Sequence, residues 1–414
     1  MFLDGQDQFE TALTSIAALD ARGEGVGDII QSSLRAARKH LGLQVAYLSE
    51  FVGDETIFRS VDAPGLEHLI KPGDSRPLDV VYCPHILAGR LPELIADTAQ
   101  VPLAAAMPIT AAVPIGSHVS VPIRLAGGEI YGMFCCLGPF ADPTLNERDL
   151  NVMRCFADMA ASEIDRRLGR EAEVAARRAR VADVIAARRL AIHYQPIWDL
   201  RTMKPVGFEA LSRFDVAGEV SPDYWFAEAH LAQLSAELEL LAIALAIEGL
   251  EHLPGGAYLT VNCSPSTALR PELAAALEDV PLERLVLEVT EHENIEDVTA
   301  LVAALAPLRQ AGMRVAVDDA GAGYSGLQQI LDLRPEIIKL DRFFVRSIED
   351  DPVRRALAAA LARFSQDIGC AIVGEGVETP AELDALREVG FDKIQGYLLG
   401  RPAPIDRLDL TYDA

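Results

Sequence analysis

The six cysteines of this 414-residue chain (Cys83, Cys135, Cys136, Cys155, Cys263 and Cys370) contain no C-x-x-C spacing. That argues against a structural zinc site. Most stand in apolar surroundings and read as buried free thiols of a reducing compartment. Long apolar runs are also missing. No stretch of about 18 residues is free of charges or turn residues, so no transmembrane helix is expected. The first residues, "MFLDGQDQFETAL", lack the basic start and apolar core of a signal peptide, so the expected location is the cytoplasm. Positive charge is scarce, with 37 Lys and Arg against 62 Asp and Glu and a net charge of −25. Such a surface disfavours broad binding to duplex DNA or anionic lipid, so neither duplex nucleic acid nor membrane is an expected partner. An anionic substrate would need a local inversion of this field, for which a bound metal is the usual device.

What is present points to two domains, on length and on a hydrophobic content of 50%. The chain divides near residues 160–188. The run "ASEIDRRLGREAEVAARRARVADVIAARR" has no Pro and one Gly and reads as a helix. Ile164, Leu168, Ala175, Ala182 and Ile185 give it a broken apolar stripe, weaker than a heptad seam. The helix either pairs with its copy in a dimer or serves as a solvated spacer.

Upstream, the spacing of Ile29, Ile30, Leu34 and Leu41 predicts a helix over 26–42. Strand-like runs follow: "VAYLSEFV", "HVSVPIRL" (118–125) and "IYGMFCCLG" (130–138). A closing helix, "LNERDLNVMRCFADMAASEI", has Asn146 placed to cap it and Asp149 near its positive end. Helix, antiparallel strands and helix describe an α+β domain. With "YCPHILAGRLPELIADT" (82–98) and "SVPIRLAGGEIYGMFCCLG" (120–138), residues 10–165 resemble a GAF domain, the small ligand-sensing module of bacterial signalling proteins. Some members of that family hold bilins through a cysteine, or haem, or cyclic nucleotides. Cys83 and His85 invite such ideas, although core or pocket-lining roles are the favoured reading. The resemblance implies a small ligand of unknown identity.

Beyond residue 190, short apolar runs alternate with helical stretches. The candidate strands are 191–197, 206–214, 257–264, 285–291, 314–319, 337–341, 370–378 and 393–400, with helical segments at about 224–251, 297–311, 352–368 and 380–389. Eight strands with alternating helices predict an α/β fold, a (β/α)8 TIM-like barrel. Only "WDLRTMK" separates the first two strands, too little for a helical crossover, so that pair is expected to be antiparallel. Polar residues recur at the strand ends: Gln195, Glu209, Asn262, Glu288, Asp318 with Asp319, Lys339, Glu375 and Gln395. Barrel enzymes place their active sites at such ends. Five converging carboxylates would be costly unless neutralised. An all-oxygen donor set, with the adjacent pair Asp318–Asp319, points to hard cations, Mg²⁺ or Mn²⁺, two of them clamping a phosphodiester for in-line displacement.

The motifs "FEALSRF" (208–214), "YQPI" (194–197), "VNCS" (261–264), "LEVTE" (287–291), "VDDAGAGYSGL" (317–327), "IKLD" (338–341), "GEGVE" (374–378) and "QGYLLGRP" (395–402) occur in order. Over about 180–410 the chain resembles the EAL-domain phosphodiesterases, which cleave cyclic di-GMP to linear pGpG. Position by position, the resemblance makes Glu209, Asn262, Glu288 and Asp318 ligands of a first metal and Asp319 the ligand of a second. Glu375 matches a carboxylate that binds metal or positions the attacking water, and is a candidate general base. Lys339 matches a lysine that holds the water or the phosphate. Catalytic roles thus fall to Lys339, Glu375 and Glu209. Gln195, Leu211 and Arg213 match substrate contacts, with Arg213 facing a phosphate. Gln395 matches a partner of the metal ligands, and Glu291 a brace for the loop after Asp319. The family usually has Phe where this chain has Ala320, and Thr and Ser where it has Ala322 and Gly326. That loop supports metal occupancy and a dimer contact in relatives, so the changes lower the expected basal activity.

The reading is therefore a sensor (10–165), a helical linker (166–188) and a phosphodiesterase barrel (189–410), expected as a homodimer. No "GGDEF"-like run occurs, so no cyclase partner domain is expected. The alternatives are a cyclic di-GMP receptor that binds without cleaving and a barrel enzyme for another phosphodiester.

Overall fold

The computed structural model describes residues 26–216, 221–289, 297–318 and 324–408. The chain divides into two compact units at Glu173/Val174.

In the first unit, strands β1 (Val45–Val52), β2 (Glu55–Asp62), β3 (Ser75–Pro77), β4 (Leu94–Ile95), β5 (Ser117–Arg124) and β6 (Ile130–Gly138) form a sheet in the order β3-β2-β1-β6-β5-β4. All its neighbours are antiparallel. Strand alternation divides β6 between two cores. Phe134 and Cys136 face the helix Val26–Leu41 and the start of the helix Glu147–Ala186. Met133, Cys135 and Leu137 face a second core built with Tyr47, Phe58, Tyr82 and Ile115. Five of the six cysteines are buried free thiols, in line with the reading for most of them; Cys155, on the helix Glu147–Ala186, is exposed. Asn146 caps that helix as expected, its Oδ1 accepting from Arg148 N at 2.9 Å, while Asp149 Oδ2 accepts from Asn146 N at 3.0 Å.

The helix runs 40 residues without a break, from Glu147 to Ala186. Its apolar stripe differs from the expected one. Ile164 is buried, but Leu168, Ala175 and Ala182 are exposed; Val181, with Ile185, packs against Ala229, Leu234 and Leu238, and Val184 is also buried. Polar contacts set this register: Arg177 Nε and Arg180 Nη2 donate to Glu228 at 3.1 and 3.0 Å, and Arg178 Nη1 donates to Ala232 O at 2.9 Å.

The second unit is a closed eight-stranded barrel. Its strands are β7 (Leu190–Asp199), β8 (Lys204–Phe214), β9 (Tyr258–Cys263), β10 (Leu285–Val289), β11 (Arg314–Val317), β12 (Ile337–Leu340), β13 (Ala371–Gly374) and β14 (Lys393–Ile394). From β8 to β14 every neighbour is parallel. β7 runs antiparallel to both β8 and β14, so the reversed first strand also closes the barrel. The helices Pro352–Ile368 and Pro380–Val389 lie where the sequence placed them, each capped at its N-terminus and ended by a left-handed glycine, Gly369 (φ 72°) and Gly390 (φ 91°). The single helix expected over 224–251 is two, Pro222–Leu231 and Ser235–Glu248, broken where Gln233 takes a φ of 57°.

Inside the barrel Ile197, Tyr258, Val286, Ala316, Ile337 and Val373 form an apolar plug. Gly207 makes room for it: a Cβ there would lie 2.4 Å from the Tyr258 ring.

Candidate active site

The site is the next interior layer above that plug, and the two-residue repeat of a strand generates it. Two residues after Val286, Ala316, Ile337 and Val373 come Glu288, Asp318, Lys339 and Glu375. Thr260 and then Asn262 follow Tyr258. On the reversed strand β7 the order inverts, so Gln195 precedes Ile197. Register agrees: Gln195 pairs with Glu209, and Glu288 with Asn262.

Lys339 stands at the centre, 2% exposed. Its Nζ lies 2.6 Å from Glu375 Oε1, 2.9 Å from Glu288 Oε2, 3.3 Å from Asp318 Oδ1 and 3.4 Å from Glu209 Oε2. Gln395 Nε2 donates to Glu209 Oε2 at 2.6 Å and to Gln195 Oε1 at 3.0 Å, and Gln195 Nε2 donates to Gly400 O at 3.0 Å. Asn262 Nδ2 lies 3.4 Å from Glu209 Oε1. The structure therefore gathers Gln195, Glu209, Asn262, Glu288, Asp318, Lys339, Glu375 and Gln395 in one cluster. Leu211 and Arg213 follow Glu209 on the same face of β8, half-buried, and Arg213 Nη1 donates to Ser212 O at 2.7 Å. Asp319, Ala320, Ala322 and Glu291 lie outside the described residues.

One ammonium among four carboxylates leaves an excess of negative charge out of water. Burial pushes Glu288 up to about 8, with the charges of Glu209 and Asp318 adding to the shift and Lys339 opposing it. Burial likewise raises Glu375 well above the ordinary carboxylate range, Lys339 again opposing. For Lys339 burial acts against the charged form, but Asp318, Glu209, Glu288 and Glu375 outweigh it and hold the ammonium firmly protonated. Glu288 is fully buried, yet no hydrogen bond reaches its Oε1 among the described residues. Nor are three or more acidic, histidine or cysteine side chains among the described residues spaced to hold a metal ion: the carboxylates turn toward Lys339.

Loops behind this layer hold it in place. After Glu375 the chain turns through Gly376 (φ 68°), and Val377 N donates to Gln395 O at 3.0 Å. A Cβ on Gly396 would meet Val377 O at 2.1 Å, so only glycine allows the two loops to approach. After Asn262, Ser264 N and Oγ donate to Glu239 Oε2 at 2.8 and 2.9 Å.

The sequence reading missed one mouth residue. His193 pairs with Leu211 and lies two residues from Gln195 on the interior face of β7. The same period-two spacing that marked Gln195 and Glu209 would have found it. His85, in the first unit, makes a local contact, its Nδ1 accepting from Arg90 Nε at 3.1 Å.

Comparison with known proteins adds the following. The sequence model of the EAL domain matches residues 176–402, and that of the GAF domain residues 26–164. The cyclic di-GMP phosphodiesterase NbdA of Pseudomonas aeruginosa is 33% identical over 232 residues, covering 53% of this chain and 30% of that protein. An EAL domain protein from Listeria monocytogenes is similar in structure at a TM-score of 0.52 and 26% identity, covering 56% of this chain and 95% of that one. The PaMucR phosphodiesterase, in complex with c-di-GMP, matches at a TM-score of 0.50 and 27% identity, covering 55% of this chain and 96% of that one. The chain spans less than half the length of the curated relatives it matches.

Proposed function

The chain belongs to the EAL-domain family, matched over more than half its length, and from that premise we propose that it is a metal-dependent phosphodiesterase hydrolysing cyclic di-GMP to linear pGpG, regulated by its N-terminal GAF domain. The observation that carries this reading is the convergence of Glu209, Glu288, Asp318 and Glu375 on Lys339 beside Asn262.

The donor chemistry suits hard divalent cations. Every candidate ligand offers oxygen, and Glu288 Oε1, without a hydrogen-bond partner among the described residues, has a lone pair to give. We assign the first ion to Glu209, Asn262, Glu288 and Asp318, and the second to Asp319, with Glu375 beside them. When bound, paired Mg²⁺ or Mn²⁺ would activate water and neutralise the phosphate and leaving oxygen. The chain's own groups do the rest. Glu375, raised by burial, is suited to take the proton of the attacking water. Lys339 keeps its charge and holds either that water or the phosphate oxygen. Gln395, tied to Glu209 and Gln195, fixes the orientation of the Glu209 carboxylate. Arg213, further along β8, offers a guanidinium to a phosphate in an otherwise acidic protein. The plug beneath the layer keeps bulk water from the floor of the site. A homodimer belongs to the same reading; Phe343, Val353 and Leu357 stand exposed on the barrel unit and are available to such a contact.

The test is to incubate the full chain with cyclic di-GMP and Mg²⁺ or Mn²⁺ and to separate the products by chromatography. Linear pGpG is expected, lost on chelation and reduced at least 100-fold by Glu209→Ala. Tight binding with no linear product under either metal would replace this reading with that of a receptor.

A further inference from the structure

His193 stands half-buried at the barrel mouth, one step outside the acidic layer. Strand β7 runs toward the floor of the barrel, so His193 lies two residues, roughly 7 Å, outward of Gln195 on the same interior face. Leu211 is directly across on β8, and Arg213 follows it two residues further out. The chain after Gly400 runs along the other edge of β7. Tyr194 N donates to Ala403 O at 2.8 Å, Ala403 N donates to Tyr194 O at 3.1 Å, and Gln195 Nε2 donates to Gly400 O at 3.0 Å.

That frame holds the imidazole. Its ring donates to the carbonyl of Pro402, which lies between Gly400 and Ala403 on the same segment. A carbonyl only accepts, so one ring nitrogen carries the hydrogen, and in the neutral imidazole the other offers a lone pair. The neutral form already prevails above an ordinary histidine pKa of about 6.5. Burial and the charges of Arg213 and Arg407 favour it further, against the Pro402 bond, and the pKa falls below that value. The neighbours differ in kind. Arg213 and Arg407 donate and cannot accept, and Leu211 does neither. Of these four side chains His193 alone is an acceptor, and it faces an apolar wall across the strand pair.

We propose that His193 is a specificity-determining residue of the barrel: a guanine base lies against Leu211 and its N1–H donates to the open nitrogen of the His193 ring. The choice of guanine rests on reading the barrel as a cyclic di-GMP phosphodiesterase. An apolar wall beside a single acceptor suits a flat base read along its Watson–Crick edge. The acidic layer takes the phosphate, and one strand step outward is where the base attached to it reaches. Guanine presents N1–H on that edge; adenine presents a bare N1 at the same place. With guanine the acceptor is satisfied. With adenine two lone pairs face each other, and an acceptor taken out of water stays unpaired.

The test is isothermal titration of the full chain with cyclic di-GMP and with cyclic di-AMP, Ca²⁺ replacing Mg²⁺. The parent should prefer cyclic di-GMP. His193→Phe keeps a ring and loses the acceptor; it should weaken cyclic di-GMP about tenfold or more and leave cyclic di-AMP nearly unchanged, so that the preference shrinks by the same factor. His193→Gln, whose amide oxygen can accept, should keep most of the preference. His193→Ala makes the same comparison if the phenylalanine variant does not fold. A preference unchanged in a folded variant, an equal loss for both nucleotides (the mark of a contact to sugar or phosphate), or a parent that binds both alike or neither would each overturn the assignment. Selective binding of cyclic di-GMP without cleavage under Mg²⁺ or Mn²⁺ would remove the phosphodiesterase reading and leave this one standing. Cleavage with a preference that the substitutions do not move would do the reverse.

Discussion

Lys339 decides whether the barrel can hold its acidic layer at all. Its ammonium touches four carboxylates in a place where water cannot share the load. Removing one partner of a buried charge cluster is strongly destabilising, because the others are left uncompensated. Lys339→Met should therefore lose about 3–5 kcal/mol in metal-free urea unfolding, and added Mn²⁺ should return part of it. A metal-free variant as stable as the parent would mean that the carboxylates are not held by this lysine. Gly376 makes a second residue-scale case. Its φ of 68° disfavours any side chain, and a Cβ would lie 2.4 Å from Arg342 Cβ. Gly376→Ala should cost about 2 kcal/mol or more and lower kcat through the neighbouring Glu375, measurable by thermal unfolding and steady-state turnover.

At the scale of elements, the helix Pro380–Val389 anchors the loop that carries Glu375. Glu382 closes a capping box with Thr379; its Oε2 accepts from Glu378 N at 2.8 Å and Thr379 N at 3.0 Å, and its Oε1 from Ser347 N at 3.1 Å. Burial opposes ionisation, but those amides outweigh it and hold the carboxyl below its ordinary range. A depressed carboxyl stabilises the fold above its unfolded pKa of about 4.3, and that stability is lost as pH falls below it. Glu382→Gln should cost about 1–3 kcal/mol at neutral pH, flatten the acid limb of the stability profile and reduce kcat. Equal acid limbs in the two proteins would contradict this role. The barrel and its layer were legible in the sequence for one reason. Each polar residue sits two positions from an apolar one, so Val286–Glu288 and Ile337–Lys339 announce both a strand and its inner face. What stayed hidden was not periodic. The break at Gln233 depends on a backbone angle that no pattern of apolar residues encodes. The stripe of the long helix was misplaced because Arg177, Arg178 and Arg180, not its alanines, fix the face turned to Glu228 and Ala232.

For the whole molecule, the claim is that a chain of net charge −25 handles a dianionic nucleotide by concentrating its acid at one barrel mouth and filling that mouth with cations. Lys339 supplies one positive charge, and divalent ions are to supply the rest. Titrating Mn²⁺ into the full chain with cyclic di-GMP present, and following the electron paramagnetic resonance spectrum, tests this most directly. The account predicts two manganese ions per chain with a spin-coupled signal, lost in a folded Glu209→Ala, Asp318→Ala double variant. A spectrum of free manganese throughout, or bound manganese indifferent to those two substitutions, would contradict it.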